Sequence, residues 1–496
     1  MKEIKYVSTR GEGGKVTSAQ AIKQGLCSDG GLFMPDSLPV FTPEYLEKLR
    51  GMSYAERAAA VMSLYLTDYT YEELLEDCKK AYSAEKFKGG CAPVKAIENL
   101  RVLELWHGPT CAFKDMALQI MPRLLSRALD KTGEEKTALI LVATSGDTGK
   151  AALEGYRDVD KIKIQVFYPV DGVSRIQKKQ MQTQVGNNVC VTAIKGNFDD
   201  AQSGVKKIFS DKDVSAVLEK NGYFFSSANS INWGRLVPQV VYYVSAYCDL
   251  LDFGEIRPGD KVNVCVPTGN FGNIFAAYLA KRSGIPIDKL ICASNVNNVL
   301  TDFLGTGVYD RNRAFHTTMS PSMDILISSN LERLLYLAAG SEKTASYMAS
   351  LAKDGRYEVD SDVFAKIKES FIGGFCTEDE TRKTIREIFE KYGYLIDTHT
   401  AVGVKCAREY AARTGDTRPI ITASTASPYK FAPDVLSSLT PDVPEDEFEA
   451  IEALSALSKT ESPAPLSSLR EKAVRFDRTV EKEEMTREVL RFAGIE

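Results

Sequence analysis

The sequence predicts an α/β protein of two parallel-sheet lobes covered by helices, with an N-terminal extension domain. Three observations carry this. A short, wholly apolar run bounded by polar residues at 138–143 (Ala-Leu-Ile-Leu-Val-Ala) and a largely apolar one at 261–267 (Lys-Val-Asn-Val-Cys-Val-Pro) follow the pattern of strands buried on both faces. Each run leads through a turn rich in Gly, Ser, Thr and Asn into a helical pattern, and strand, turn and helix in succession make a parallel sheet. Finally, 496 residues with 44% hydrophobic content are too many for one ordinary core and suggest two to four domains.

Taken in order, residues 1–95 hold amphipathic helical stretches at 43–49, 55–65 and 71–81, and no strand-turn-helix site. They read as the extension domain. Residues 137–226 read as a small α/β lobe with strands at 138–143, 164–168, 189–194 and 223–226. The large lobe takes 96–136 and 227–440, with strands at 261–267, 290–294 and 419–422 and a helical insertion at about 320–374. Residues 441–496 are Pro-, Ser- and Glu-rich at first and read as a helical tail, with a final charged helix from Leu466. A site is expected between the two lobes.

Composition limits the function. A net charge of -5, with no basic stripe interleaved with aromatics, gives no electrostatic case for nucleic acid. No apolar run reaches membrane-spanning length, and Met1-Lys-Glu-Ile-Lys-Tyr-Val has no apolar signal core, so a cytoplasmic protein away from membranes is expected. Ten cysteines without Cys-x-x-Cys spacing and three histidines point to reduced thiols and no metal site. Nothing in the sequence specifies an oligomeric state.

Chemistry concentrates in a few segments. His107-Gly-Pro-Thr-Cys-Ala-Phe113-Lys114-Asp115 places one lysine behind a Gly-Pro turn and before a helical pattern at Met116, Ile120, Met121, Leu124, Leu125 and Ala128. Lys114 therefore meets burial and the positive end of a helix, and both disfavour an ammonium. An amine so placed suits Schiff-base chemistry with a carbonyl cofactor. Thr144-Ser145-Gly146-Asp147-Thr148-Gly149 offers hydroxyls and backbone N–H groups at a helix start, a site for a carboxylate or phosphate. Thr268-Gly269-Asn270-Phe271-Gly272-Asn273 can curl around one anion. Neither is a nucleotide fingerprint: position 144 is Thr and position 151 is Ala, where a phosphate-binding loop ending in Gly149-Lys150 needs Gly and a hydroxyl residue. A small phosphate ester is the more economical ligand.

These segments, with Asn229-Ser-Ile-Asn232-x-x-Arg235, Tyr6-Val-Ser-Thr-Arg10-Gly11 and Asp29-Gly-Gly-Leu-Phe-Met-Pro35, together resemble the threonine synthases, from about residue 5 to Phe431. The resemblance implies the tryptophan-synthase-beta type of fold, with the large lobe binding pyridoxal phosphate (PLP). It implies that Lys114 holds PLP as a Schiff base and later moves protons at Cα and Cβ of the substrate, with Phe113 beside it. Gly269, Asn270, Phe271, Gly272 and Asn273 would bind the cofactor phosphate, and Thr425 would face the pyridine nitrogen. Asp147 stands where many relatives of this fold carry Asn near the phenolic oxygen, and a carboxylate there would retain the imine proton.

For the substrate, the resemblance implies that Thr144, Ser145 and Thr148 cradle the amino-acid carboxylate while Asn229, Asn232 and Arg235 reach the distal phosphate. The implied reaction converts O-phospho-L-homoserine and water to L-threonine and phosphate by γ-elimination and β-addition, the last step of threonine biosynthesis. The alternatives are a phosphohomoserine lyase releasing 2-ketobutyrate and ammonia, and a non-catalytic homologue acting as a binding protein. Asp397 reads as a helix cap, and His399 and Ser174-Arg175 as structural residues.

Overall fold

The computed structural model describes residues 3–495. Its larger sheet has six strands in the order Phe371–Phe375, Ile287–Ser294, Val262–Pro267, Ile420–Ser424, Leu100–Glu104 and Val94–Ile97. All neighbours run parallel except the last pair, an antiparallel hairpin across Glu98 and Asn99. The smaller sheet is wholly parallel, in the order Thr479–Glu481, Val189–Lys195, Ile162–Pro169, Thr137–Ala143 and Tyr223–Ser226.

Alternation along the strands shows why these runs are so largely apolar. Val264 and Val266 enter one core while Cys265 between them enters another. In the small sheet Ala138, Ile140 and Val142 face the first core, and Leu139 and Leu141 face a third. Side chains point alternately to opposite faces, so a strand covered on both sides has no solvated position to fill with a polar residue.

Several expected elements take a different form. The helix expected from Met116 to Ala128 is two helices, Lys114–Leu118 and Met121–Lys131. Pro122 lacks the N–H that would bond the Leu118 carbonyl and its ring crowds that carbonyl, so the helix cannot run through. Residues 320–374 are mainly helical, but they also contain Arg356–Glu358, which pairs with Val308–Asp310, and most of the edge strand Phe371–Phe375. The segment after 440 was expected to be a helical tail. Instead Glu447–Ser458 packs on the large lobe, residues 466–478 are largely irregular, and Thr479–Glu481 joins the small sheet before the helix Met485–Ala493.

The extension carries the expected helices Pro43–Leu49, Tyr54–Tyr65 and Tyr71–Ala81, and also a small hairpin of Tyr6–Ser8 with Phe33–Pro35. Its apolar residues are continuous with the first core, where Tyr6 and Tyr65 both meet the ring of Trp233. Arg57, nearly buried, donates to Ser245 Oγ at 2.9 Å on the long helix Trp233–Asp252. No helix among the described residues is long and apolar enough to cross a membrane.

Candidate functional site

Lys114 opens its five-residue helix, and the loop before it is laid across a distant segment of the chain. Phe113 N–H donates to Thr425 O at 2.8 Å, Ser427 N–H donates to Cys111 O at 3.0 Å, and Ala112 and Ala426 form an antiparallel bridge. The segments around Lys114 and around Thr425 are therefore one structure. Asp115, fully buried, closes the loop by accepting from Thr110 N–H at 2.8 Å and Thr110 Oγ1 at 2.7 Å. Burial pushes the Asp115 carboxyl up to about 6 against those two bonds.

The Lys114 amine projects toward the small lobe. Nζ lies 3.5 Å from Asp147 Oδ2, 3.3 Å from Ser322 Oγ and 5.1 Å from the centre of the half-buried Phe113 ring. Burial lowers its basicity most, and the charges of Lys430 and Arg235 add to that while Asp147 opposes it. Burial alone would raise the Asp147 carboxyl, yet Lys430 and Lys114 hold it well below the ordinary carboxylate range. Gln177 Nε2 donates to Asp147 Oδ1 at 2.8 Å.

Asp147 is aimed by the turn before it. Thr144 Oγ1 accepts from Gly146 N–H at 3.0 Å and Gly149 N–H at 2.9 Å, closing the turn on itself. Gly146 has φ of 144°, and a Cβ there would stand 2.4 Å from the Gln177 amide, so only glycine fits. Ser145 is exposed and Thr148 half-buried at the N-terminal end of Asp147–Tyr156.

The third motif is a tight turn at the N-terminus of the helix Gly272–Arg282. Ser328 Oγ donates to Gly269 O at 2.7 Å, and Asn330 donates to Asn270 O from its backbone at 3.1 Å and its amide at 3.0 Å. The left-handed residue is Phe271, with φ of 63°, and not Gly272, which lies within the helix. Asn273 Oδ1 accepts from Tyr243, while its Nδ2 is buried without a partner. An orphaned donor beside the free N–H groups of a helix start fits a phosphate.

The segment 229–235 divides. Asn229 is exposed. Arg235 is nearly buried at the head of Trp233–Asp252: one Nη donates to Ala228 O at 2.8 Å, and Nε has no partner. Burial pushes its guanidinium down to about 10, and Tyr156, whose hydroxyl is also buried and unpartnered, faces it. Asn232 departs from the expected substrate role. It is fully buried, its oxygen caps the helix at Gly234 N–H (2.9 Å), and its amide donates to Ile22 O (2.9 Å) and Ser227 O (3.3 Å). Both amide hydrogens and the side-chain oxygen are engaged within the protein.

Three residues near Lys114 escape sequence reasoning: Ser322, Gln177 and Lys430. Ser322 lies in a stretch read only as helical insertion, and Gln177 in a helix with no motif. Lys430 stands five residues after Thr425, and nothing in that spacing points to Lys114. His399, read as structural, does lie in the first turn capped by Asp397, whose carboxylate accepts from His399 N–H at 2.9 Å. Its ring also spans from Asp397 Oδ1 (2.9 Å to Nδ1) to Ser322 N–H (3.1 Å to Nε2). Since Nε2 accepts from a backbone N–H, this network assigns the proton to Nδ1. Ser174 caps Arg175–Gln182, and Arg175 pairs with Asp446 at the surface.

Comparison with known proteins agrees along the chain. Residues 5–82 match the family model described as threonine synthase N terminus, 98–425 match pyridoxal-phosphate dependent enzyme, and 400–489 match threonine synthase, C-terminal. A human protein named threonine synthase-like 1 is 41% identical over 435 residues, 85% of this chain and 58% of that protein, so the chain spans little more than half of that relative's length. The threonine synthase of Pseudomonas aeruginosa is 39% identical over 86% of this chain and 89% of its own. The crystal structure of PLP-bound threonine synthase from Brucella melitensis is 37% identical and superposes with a TM-score of 0.88 over 99% of this chain and all of that one. With matches to all three family models, and a lysine seated between the motifs they cover, the chain belongs to the threonine synthase family of pyridoxal-phosphate-dependent enzymes.

Proposed function

We propose that the protein converts O-phospho-L-homoserine and water to L-threonine and phosphate. The reading rests on two separate places in the large lobe where a buried donor lacks a partner and an anion would fit. Asn273 Nδ2 at the Gly272–Arg282 helix start and Arg235 Nε are both buried donors without partners, and Lys114 feels the charge of Arg235. A cofactor phosphate at the first and a substrate phosphate at the second would satisfy both, and an unsatisfied buried donor is costly.

When bound, PLP supplies the carbonyl to which the Lys114 amine attaches and the ring that takes up electrons from the substrate. The chain supplies position and proton transfer. Lys114 would move protons at Cα and Cβ, and Thr425, whose carbonyl holds Phe113 N–H, would serve as the hydroxyl partner of the pyridine nitrogen. Thr144, Ser145 and Thr148 hold the substrate carboxylate at the Asp147 helix start. Arg235, with Asn229, holds the leaving phosphate, for which a planar guanidinium is suited. The enzyme acts on a small molecule, and we place it in the cytoplasm.

Product analysis of the purified, PLP-loaded protein tests the reading. Phosphohomoserine should yield threonine and phosphate in equal amounts. Formation of 2-ketobutyrate and ammonia instead would make the protein a lyase, and no turnover with no PLP uptake would make it a binding protein.

A further inference from the structure

Lys114 is not the only lysine on Asp147. Lys430 is fully buried, with Nζ 2.8 Å from Asp147 Oδ1 and 2.9 Å from Thr110 O. Asp147 thus lies between two amines, one at each carboxylate oxygen, and the two contacts are unequal. Lys430 is at ion-pair distance and has a second strong acceptor. Lys114 has only Asp147 Oδ2 at 3.5 Å and Ser322 Oγ at 3.3 Å. One carboxylate neutralises one ammonium, and a second ammonium in the same buried space would be an uncompensated charge.

We propose that Lys430 is the fixed counter-ion of Asp147 and a positioning residue, whose hold on that carboxylate leaves Lys114 as the free amine that takes up PLP. This rests on Lys114 being the cofactor lysine. Attachment forms a C=N bond between Nζ and the aldehyde carbon and releases the aldehyde oxygen as water with the two amine hydrogens. An ammonium has no lone pair with which to begin it. Around Lys114 the charged groups are Asp147, Lys430 and Arg235, with burial acting in the same direction as the two cations. Around Lys430 they are Asp147, Asp115 and, on the Lys114 loop, the thiol of Cys111. Among the described residues Asp147 is the one group paired with both lysines, so removing Lys430 leaves its carboxylate to Lys114.

The test is the rate of PLP attachment to the apo-protein across pH, followed by absorbance, with borohydride trapping and mass spectrometry to locate the modified lysine. In Lys430→Met the midpoint of the profile should move to higher pH by about one unit or more, because an opposite charge now serves Lys114 alone. Attachment near neutral pH should slow by roughly tenfold or more. Lys430→Arg, which keeps the cation, should stay near wild type. Should Lys430→Met not fold, Asp147→Asn answers the same question in reverse: the midpoint should move to lower pH. An unchanged midpoint in Lys430→Met, or an unchanged or higher one in Asp147→Asn, overturns the proposal. Wild-type protein that takes up PLP at a lysine other than Lys114 overturns the site reading itself, and the proposal falls with it.

Discussion

His399 Nε2 accepts a hydrogen bond from the backbone N–H of Ser322 at 3.1 Å, so a buried helix start in the large lobe fixes the residue whose hydroxyl stands 3.3 Å from Lys114. Replacing His399 with Ala leaves Ser322 N–H without its acceptor, at a cost of about 1–3 kcal/mol. Urea unfolding should show that loss, and turnover should fall because Ser322 is no longer held. His399→Gln, which offers a side-chain oxygen, should recover part of both. Equal stability and turnover in His399→Ala would mean that Ser322 is positioned by other contacts.

Lys114→Ala should abolish threonine formation, because among the described residues no other amine reaches both Asp147 and Ser322. Borohydride treatment followed by peptide mapping should then find no PLP-linked lysine. A variant that still turns over normally, with a trapped lysine elsewhere, would remove Lys114 from the chemistry.

Arg235→Leu should separate substrate recognition from cofactor binding. PLP uptake should persist, since the Gly269–Asn273 cradle lies on a different helix from Arg235. Loss of a charge-assisted bond from a desolvated site costs on the order of 2–5 kcal/mol, roughly 30-fold to several-thousand-fold in kcat/KM for phosphohomoserine. Lysine should restore only part, because it lacks the paired geometry. Binding of norvaline, which has no phosphate, should change far less, and equal losses for both ligands would give Arg235 a purely structural part.

Asp115 should impose a pH dependence on stability. Burial raises its folded value to about 6, so the folded state binds the proton more tightly than the unfolded chain does. Its contribution is then fully present below the unfolded value near 4 and is lost as pH rises through 6. The gap corresponds to on the order of 3 kcal/mol. Asp115→Asn can still accept from Thr110 N–H and donate to Thr110 Oγ1. Its stability relative to wild type should therefore rise between pH 4 and 7 in parallel denaturation curves, and a constant difference would exclude the effect.

Gly269, in the turn, and Gly272, at the helix start, should respond differently. A Cβ on Gly269 would stand 2.6 Å from Ser322 O, so Gly269→Ala must push back the strap that carries Ser322, at about 1–3 kcal/mol. A Cβ on Gly272 meets nothing closer than Asn330 Nδ2 at 3.4 Å. Gly272→Ala should keep its Tm within a few degrees yet bind PLP more weakly, because the added methyl enters space next to the phosphate cradle. Thermal melts of the apo-proteins and PLP titrations together check both.

Much of this was legible from local pattern. Residues 138–143 and 261–267 could be read as buried strands because both faces demand apolar residues, and the turns after them announce helix starts by composition alone. The break at Pro122 was also written in the sequence, but the helical spacing of apolar residues runs straight across it and masks it. Lys430 and Ser322 were not legible, because their importance is a matter of distance: each lies far along the chain from Lys114 and next to it in space. The strand Thr479–Glu481 escaped because three residues carry too little periodicity, and its existence depends on the edge that Val189–Lys195 offers.

That strand has a consequence for the order of folding. The other four strands of the small sheet come from one stretch of chain, but its edge is closed by residues synthesised only after the entire large lobe. Until then Val189–Lys195 presents unpaired backbone groups, and Leu139, Leu141 and Phe167 lack the cover of Met485 and Val489. A sheet completed by so distant a segment closes late and slowly, and the nascent small lobe carries an open edge, the kind of surface on which chains join one another.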